Sequence, residues 1–166
     1  MDRQEKRFAV LGANGYLGRH LAFHLHTAGH SITSYDLQPS GSLEAIPYRP
    51  LDVVDATAWK SIDTDIDAFF VFSGLTGTHQ GFDDYARYLA INELGLLHLL
   101  DLLRRRDHKP RIVFPSSRLV YRGRPEPLTE EAPKESKTLY AANKLAAEGF
   151  LQAYHAAFGI PYTIFR

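Results

Sequence analysis

The stretch Phe8 to Leu21, Phe-Ala-Val-Leu-Gly-Ala-Asn-Gly-Tyr-Leu-Gly-Arg-His-Leu, narrows the possible folds of this 166-residue chain more than any other. An apolar run fit for a buried strand, Phe8 to Leu11, meets three glycines, and a helical pattern begins at Tyr16. Gly12 permits a tight turn off the strand. Gly15 carries no Cβ, so the backbone there can approach an anion closely, and the helix that follows offers free N–H groups and a partial positive charge. Gly18 lets that helix lie close on the strand. This order suits a dinucleotide pyrophosphate, with Asn14, Tyr16 and Leu17 completing the candidate cradle. A strand-to-helix turn with glycines can also be purely structural, and here the spacing is three and three rather than the commoner two and three.

The next strand, Ser31 to Tyr35, ends at Asp36, eighteen residues after Gly18. A carboxylate there can accept hydrogen bonds from an adenosine ribose and would repel a 2′-phosphate, so NAD is expected over NADP. The alternative is that Asp36 merely opens the turn through Gln38 to Gly41. A third strand is expected near Ile46 to Arg49. It leads to Asp52 and Val53, placed to face an adenine, although Asp52 also suits an acidic turn. A brief helix is expected over Ala56 to Ile62. Ala68 to Phe72 reads as a central strand buried on both faces. It ends in Ser73 and Gly74, a second glycine-containing loop at a carboxyl end of the sheet.

The periodicity then predicts one long helix from about Phe82 to Arg106, with Asn92 as a polar residue in need of a partner. Its middle is apolar around much of its circumference, which fits either a partner subunit or packing within the chain. Arg111 to Pro115 is a fifth strand ending at Ser116 and Ser117, and Arg122 to Ser136, with three prolines, is an irregular loop. A last helix runs from about Thr138 to Phe158 with Gly159 as its stop, and Ile160 to Phe165 is a sixth strand. The expected fold is α/β, one domain over residues 1–166, with a doubly wound parallel sheet in the order 3-2-1-4-5-6.

Composition removes several classes of function. Nineteen basic and nineteen acidic residues balance, which argues against a nucleic-acid or anionic-membrane surface, and without cysteine there is no thiolate nucleophile or sulfur-built zinc site. No apolar run approaches membrane-spanning length, and the charged start Met1 to Arg7 does not resemble a signal peptide, so a cytoplasmic setting is expected. His20 and His24 share a helix face, but no carboxylate nearby in sequence completes a metal site with them.

The last predicted helix carries Tyr140 and Lys144 four apart, hence on one face. A tyrosine titrates near 10, and a nearby ammonium and a positively charged nicotinamide would move it toward neutrality. Ser117, at the mouth of the neighbouring strand, can bond the same substrate hydroxyl. A Tyr and a Lys at this spacing also occur together by chance.

Taken together, these residues resemble the extended short-chain dehydrogenase/reductase family, the NAD-dependent nucleotide-sugar epimerases and dehydratases, from Phe8 to Arg166. The likeness rests on the glycine turn, Asp36, Asp52, Ser73-Gly74, Asn92, Pro115-Ser-Ser-Arg-Leu-Val-Tyr121, Pro127 with Glu131 and Pro133, and Tyr140 with Lys144 and Glu148. It implies a Rossmann fold, NAD as cofactor, and oxidation of a hydroxyl on a nucleotide-activated sugar. Ser117 then takes the catalytic serine position, Tyr140 that of the general acid/base, and Lys144 that of the residue bonding the nicotinamide ribose. It also implies a homodimer through the 82–106 and 138–158 helices. Two positions depart from the pattern: Arg122 stands where glycine is usual after Tyr121, and Asn143 where serine is common.

Family members continue past the sixth strand into a substrate-binding region that is absent here. Two readings follow: the cofactor-binding part of such an enzyme, or a non-catalytic NAD-binding module that senses cofactor or binds a partner.

Overall fold

A computed structural model describes residues 4–166; of the charged N-terminal stretch, residues 1–3 lie outside the described residues. The sheet has six strands: β1 (Arg7–Leu11), β2 (Ser31–Asp36), β3 (Tyr48–Pro50), β4 (Ala68–Val71), β5 (Arg111–Pro115) and β6 (Tyr162–Phe165). All pair in parallel, in the order β3-β2-β1-β4-β5-β6 expected from the sequence. The chain direction changes sides between β1 and β4, so the ends of these two strands open a crevice at the carboxyl edge.

The strand alternation sorts side chains onto two faces. Val10, Ile32, Phe70 and Phe72 pack with Ala22 and Leu25 of α1 (Tyr16–Thr27). Leu11, Phe69, Val71, Ile112 and Phe114 pack on the other face against Leu96, Leu99, Leu100 and Leu103 of α4 (Gly95–Arg104) and Leu151 of α5 (Leu139–Phe158). With both faces covered, β4 has no reason to alternate, and its sequence reads as an unbroken apolar run. Each fully buried leucine is worth about 1.5–3 kcal/mol, so the stripe on α4 is a main fastening of that face.

Helix ends follow local chemistry. Thr138 caps α5 by accepting from the Ala141 amide at 3.1 Å, and Gly159 stops it at φ 72°.

The predicted single helix over 82–106 is instead broken. Gln80–Asp83 (α2) ends at Asp84, whose φ of −126° and ψ of 44° leave the helical region, and Tyr85–Leu89 (α3) follows. Ala90–Leu94 is a π turn leading into α4. Hydrophobic periodicity does not register one extra residue in a turn, and the polar pair Asn92 and Glu93 gives the reason for it: both reach partners in neighbouring elements. The third strand begins two residues later than expected, because Ile46 is drawn into the α1-side core. The brief helix near 56–62 is a 3₁₀ turn, Ala58–Ser61.

Candidate active site

The glycine turn is where three strand ends converge. Gly12 sits at φ 77°, and a Cβ on it would lie 2.5 Å from the Ser73 amide nitrogen. Its own N–H donates to the Tyr35 carbonyl at 2.8 Å. A Cβ on Gly18 would lie 2.2 Å from the Gly12 carbonyl oxygen, so this glycine closes the turn against the helix. Gly15 is the N-cap of α1. No side chain caps that end, and the first turn holds no acidic residue. Its free N–H groups therefore remain available to an anion.

To one side lies a crevice of about 420 Å³ lined by Gly12, Asn14, Gly15, Asp36, Asp52, Val53, Ser73, Gly74 and Arg87, among others. Asp36 is fixed by its neighbours: Oδ2 accepts from the Asn14 amide at 2.9 Å and Oδ1 from the Leu37 amide at 2.8 Å. It thus lines the crevice and also ties the turn. Asp52 accepts from the Val54 amide at 2.9 Å. The Val53 carbonyl is held by Trp59 Nε1 at 2.9 Å and faces His98 Nδ1 at 3.0 Å. The Asn14 side chain points away, donating to the Ser40 carbonyl and accepting from the Ser42 amide, both at 2.9 Å.

A second crevice, of about 360 Å³, is lined by Tyr16, Leu17, Gly18, Thr76, Pro115, Ser116, Tyr140 and Lys144. It shares Gly12, Gly15, Phe72, Gly74 and Leu75 with the first, so the two meet over the glycine turn. Burial pushes the Tyr140 phenol above its ordinary value, and a hydrogen bond with Ser117 pulls against it. Lys144 is 9% exposed, and burial lowers its ammonium to about 8. It donates to the Pro115 carbonyl at 2.7 Å and lies 4.4 Å over the Phe114 ring. The ammonium is turned onto Pro115 and passes 5.7 Å over the Tyr140 ring. Ser117 Oγ accepts from the Leu119 amide at 3.2 Å, capping the 3₁₀ turn Arg118–Val120.

Asn92 stands behind the wall, 6% exposed. Its amide grips Leu75 from both sides, Oδ1 accepting from the Leu75 N–H at 2.7 Å and Nδ2 donating to the Leu75 carbonyl at 3.1 Å. It thereby fixes the loop that begins at Ser73. Sequence reasoning missed the next link. Asn143 Nδ2 donates to Glu93 Oε1 at 2.5 Å and its Oδ1 faces Asn92 at 3.4 Å. The uncommon asparagine thus joins α5 to the π turn. Arg87, on the rim of the first crevice, was also not anticipated. Arg122 needs no glycine-like backbone, since no non-glycine residue has a positive φ among the described residues, and its guanidinium pairs with Glu135. His20 packs edge-on against Tyr16 at 4.8 Å, and among the described residues no three His, Cys, Asp or Glu side chains gather as a metal site would require. No described helix is long and apolar enough to cross a membrane.

Sheet order and glycine turn define a doubly wound α/β protein with a dinucleotide-type crevice. Residues 8–166 match the model of the NAD dependent epimerase/dehydratase family, and the chain belongs to that family. It is 28% identical over 166 aligned residues to the UDP-glucose 4-epimerase of Corynebacterium glutamicum, covering 96% of this chain and 50% of that protein. It is 33% identical over 147 residues to the GDP-6-deoxy-D-mannose reductase of Pseudomonas aeruginosa, covering 86% and 45%. The crystal structure of UDP-glucose 4-epimerase from Brucella ovis in complex with NAD superposes with a TM-score of 0.83 at 27% identity, over 96% of this chain and 50% of that one. The chain spans about half the length of the curated relatives it matches.

Proposed function

We propose that this chain is the cofactor-binding and catalytic part of an NAD-dependent oxidoreductase acting on a nucleotide-activated sugar. The observation that carries the reading is the meeting of the two crevices over Gly12 and Gly15, with Asp36 and Asp52 at one end and Tyr140 and Lys144 at the other. The residues fit a dinucleotide. Ribose hydroxyls would bond to Asp36, adenine would lie by Asp52 and Val53, the pyrophosphate would rest on the α1 N-terminus, and the nicotinamide ribose would bond to Tyr140 and Lys144. When bound, NAD supplies the hydride acceptor. Tyr140, as the phenolate, would take the proton of the sugar hydroxyl and become the phenol, Ser117 would orient that hydroxyl, and the positive charge of Lys144 would favour the phenolate before the transfer. The named relatives, an epimerase and a reductase of sugar nucleotides, support the substrate class.

A homodimer through the long helices accompanies this reading. It is supported by the exposure of Phe82, Tyr85, Leu89 and Leu94 beside α4, and sedimentation of the full-length protein at twice the protomer mass checks it.

Calorimetric titration with NAD+ and NADP+ tests the functional reading. Saturable binding with NAD+ preferred is expected. Absence of binding to either nucleotide overturns it.

A further inference from the structure

Beneath the crevice lies a buried carboxylate, paired with a more exposed arginine, that the reaction described above does not use. Glu148 is 2% exposed, on the same stripe of α5 as Tyr140 and Lys144, each four residues from the next. Arg166, at the end of β6, grips it twice, Nε donating to Oε1 at 2.9 Å and Nη2 to Oε2 at 2.8 Å. Ser116 Oγ donates to Oε1 at 2.6 Å, and Lys134 approaches Oε2 at 3.9 Å. The third guanidinium arm donates to the Tyr121 hydroxyl at 3.0 Å, and the Ser116 amide donates to the Phe165 carbonyl at 2.6 Å. The end of β5, the exit of the 3₁₀ turn, α5 and the end of β6 are thereby tied at one carboxylate.

Burying the carboxylate is an expensive way to gain stability, because its desolvation offsets part of the attraction to Arg166. What it does supply is fixed geometry. Two successive residues just ahead of Ser117 are bound to α5, one turn apart: Pro115 by Lys144, and Ser116 by Glu148.

We propose that Glu148, held by Arg166, is a positioning residue that acts through the Ser116 hydroxyl to keep Ser117 against Tyr140. This deepens the proposed function and rests on it. Burial would push the Glu148 carboxyl up, but hydrogen bonds from Arg166 and Ser116 and the charges of Arg166 and Lys134 hold it below its ordinary value, so it accepts from Ser116 throughout the neutral range. The Lys144 ammonium lies 5.7 Å over the Tyr140 ring, and Ser117, whose Oγ accepts from the Leu119 amide at 3.2 Å, counters the upward push of burial on the phenol.

The test is the titration of Tyr140 in the full-length protein, followed by NMR of ring-labelled tyrosine, with the resonance assigned by Tyr140→Phe, without and with NAD+. Ser116→Ala leaves the ion pair in place and is expected to raise the Tyr140 pKa by about half a unit or more, in parallel with Ser117→Ala. Ser116→Thr keeps the hydroxyl and is expected to titrate like the parent. A Ser116→Ala curve within roughly 0.2 unit of the parent, with Ser117→Ala shifted, overturns the proposal. So does an unshifted Ser117→Ala curve. Failure of the parent to bind NAD+ overturns the functional reading instead, while the cofactor-free titration still decides whether Ser116 positions Ser117.

Discussion

Lys144 donates its ammonium to the carbonyl oxygen of Pro115 at 2.7 Å, from a site where only 9% of the residue reaches solvent. One hydrogen bond and the Phe114 ring do not replace the lost water, and the ammonium falls from its ordinary 10.5 to about 8. Between these two values the unfolded chain holds a proton that the folded chain has released, so stability rises with pH across that window. At about 1.4 kcal/mol per pH unit, the burden below pH 8 is on the order of 3 kcal/mol. In the cofactor-free protein, Lys144→Met is therefore expected to raise unfolding free energy at pH 7 by about 1 kcal/mol, the relief being partly offset by the lost bond. It should also flatten the rise between pH 8 and 10. Urea denaturation of both forms at several pH values checks this, and parallel pH dependences would remove Lys144 as the cause.

Tyr140→Phe deletes one oxygen and keeps the ring. If the phenol carries the sugar hydroxyl's proton, turnover should fall by about 10²- to 10⁴-fold, the usual worth of a positioned acid/base. NAD+ affinity should stay within about threefold of the parent, since a single ribose hydrogen bond is lost. Initial rates in the full-length protein together with calorimetry separate the two effects. A variant that turns over at the parent rate removes Tyr140 from the chemistry.

Asp36→Asn tests the choice of cofactor with little change of shape. One amide oxygen can still accept from the Asn14 or Leu37 N–H, whereas the negative charge at the ribose end is gone. NADP+ binding is expected to improve by about tenfold, while NAD+ weakens by a smaller factor as a charge-assisted acceptor is lost. Parallel titrations check it. An unchanged NAD+ to NADP+ ratio would leave Asp36 as a turn residue alone.

How legible the chain is depends on whether a feature is local. β1, the glycine turn, α1 and the end of β2 follow from contiguous residues whose chemistry is set by their neighbours, and they fall where expected. The Thr138 cap and the Gly159 stop are similarly local signals. The π turn is different, because what stabilises it is Asn143, fifty residues away from Glu93 in sequence. Arg166 gives no sign in the sequence that its guanidinium spans Glu148 and Tyr121. Helical spacing likewise places Lys144 on the face of Tyr140 but does not show that its head turns to Pro115. Spacing fixes where a side chain starts, and long-range partners decide where it ends.

The three glycines separate fold from function. In Gly18→Ala the new methyl would meet the Gly12 carbonyl oxygen at 2.2 Å, a backbone atom with nowhere to go. A loss of about 2–3 kcal/mol is expected, with α1 displaced and cofactor affinity falling with it. Gly15→Ala would bring its methyl only to 3.2 Å from the same oxygen, which a shift of a few tenths of an ångström relieves. Stability should then change by less than about 1 kcal/mol, the ordinary range for a tolerated substitution. Gly15 nevertheless lines both crevices at the uncapped start of α1, so a methyl there stands where the pyrophosphate would approach the amides. NAD+ affinity is expected to fall by about 10- to 100-fold in a protein that unfolds like the parent. Denaturation and calorimetry on the two variants check the contrast. A Gly15→Ala protein that binds NAD+ at parent strength would place the pyrophosphate elsewhere.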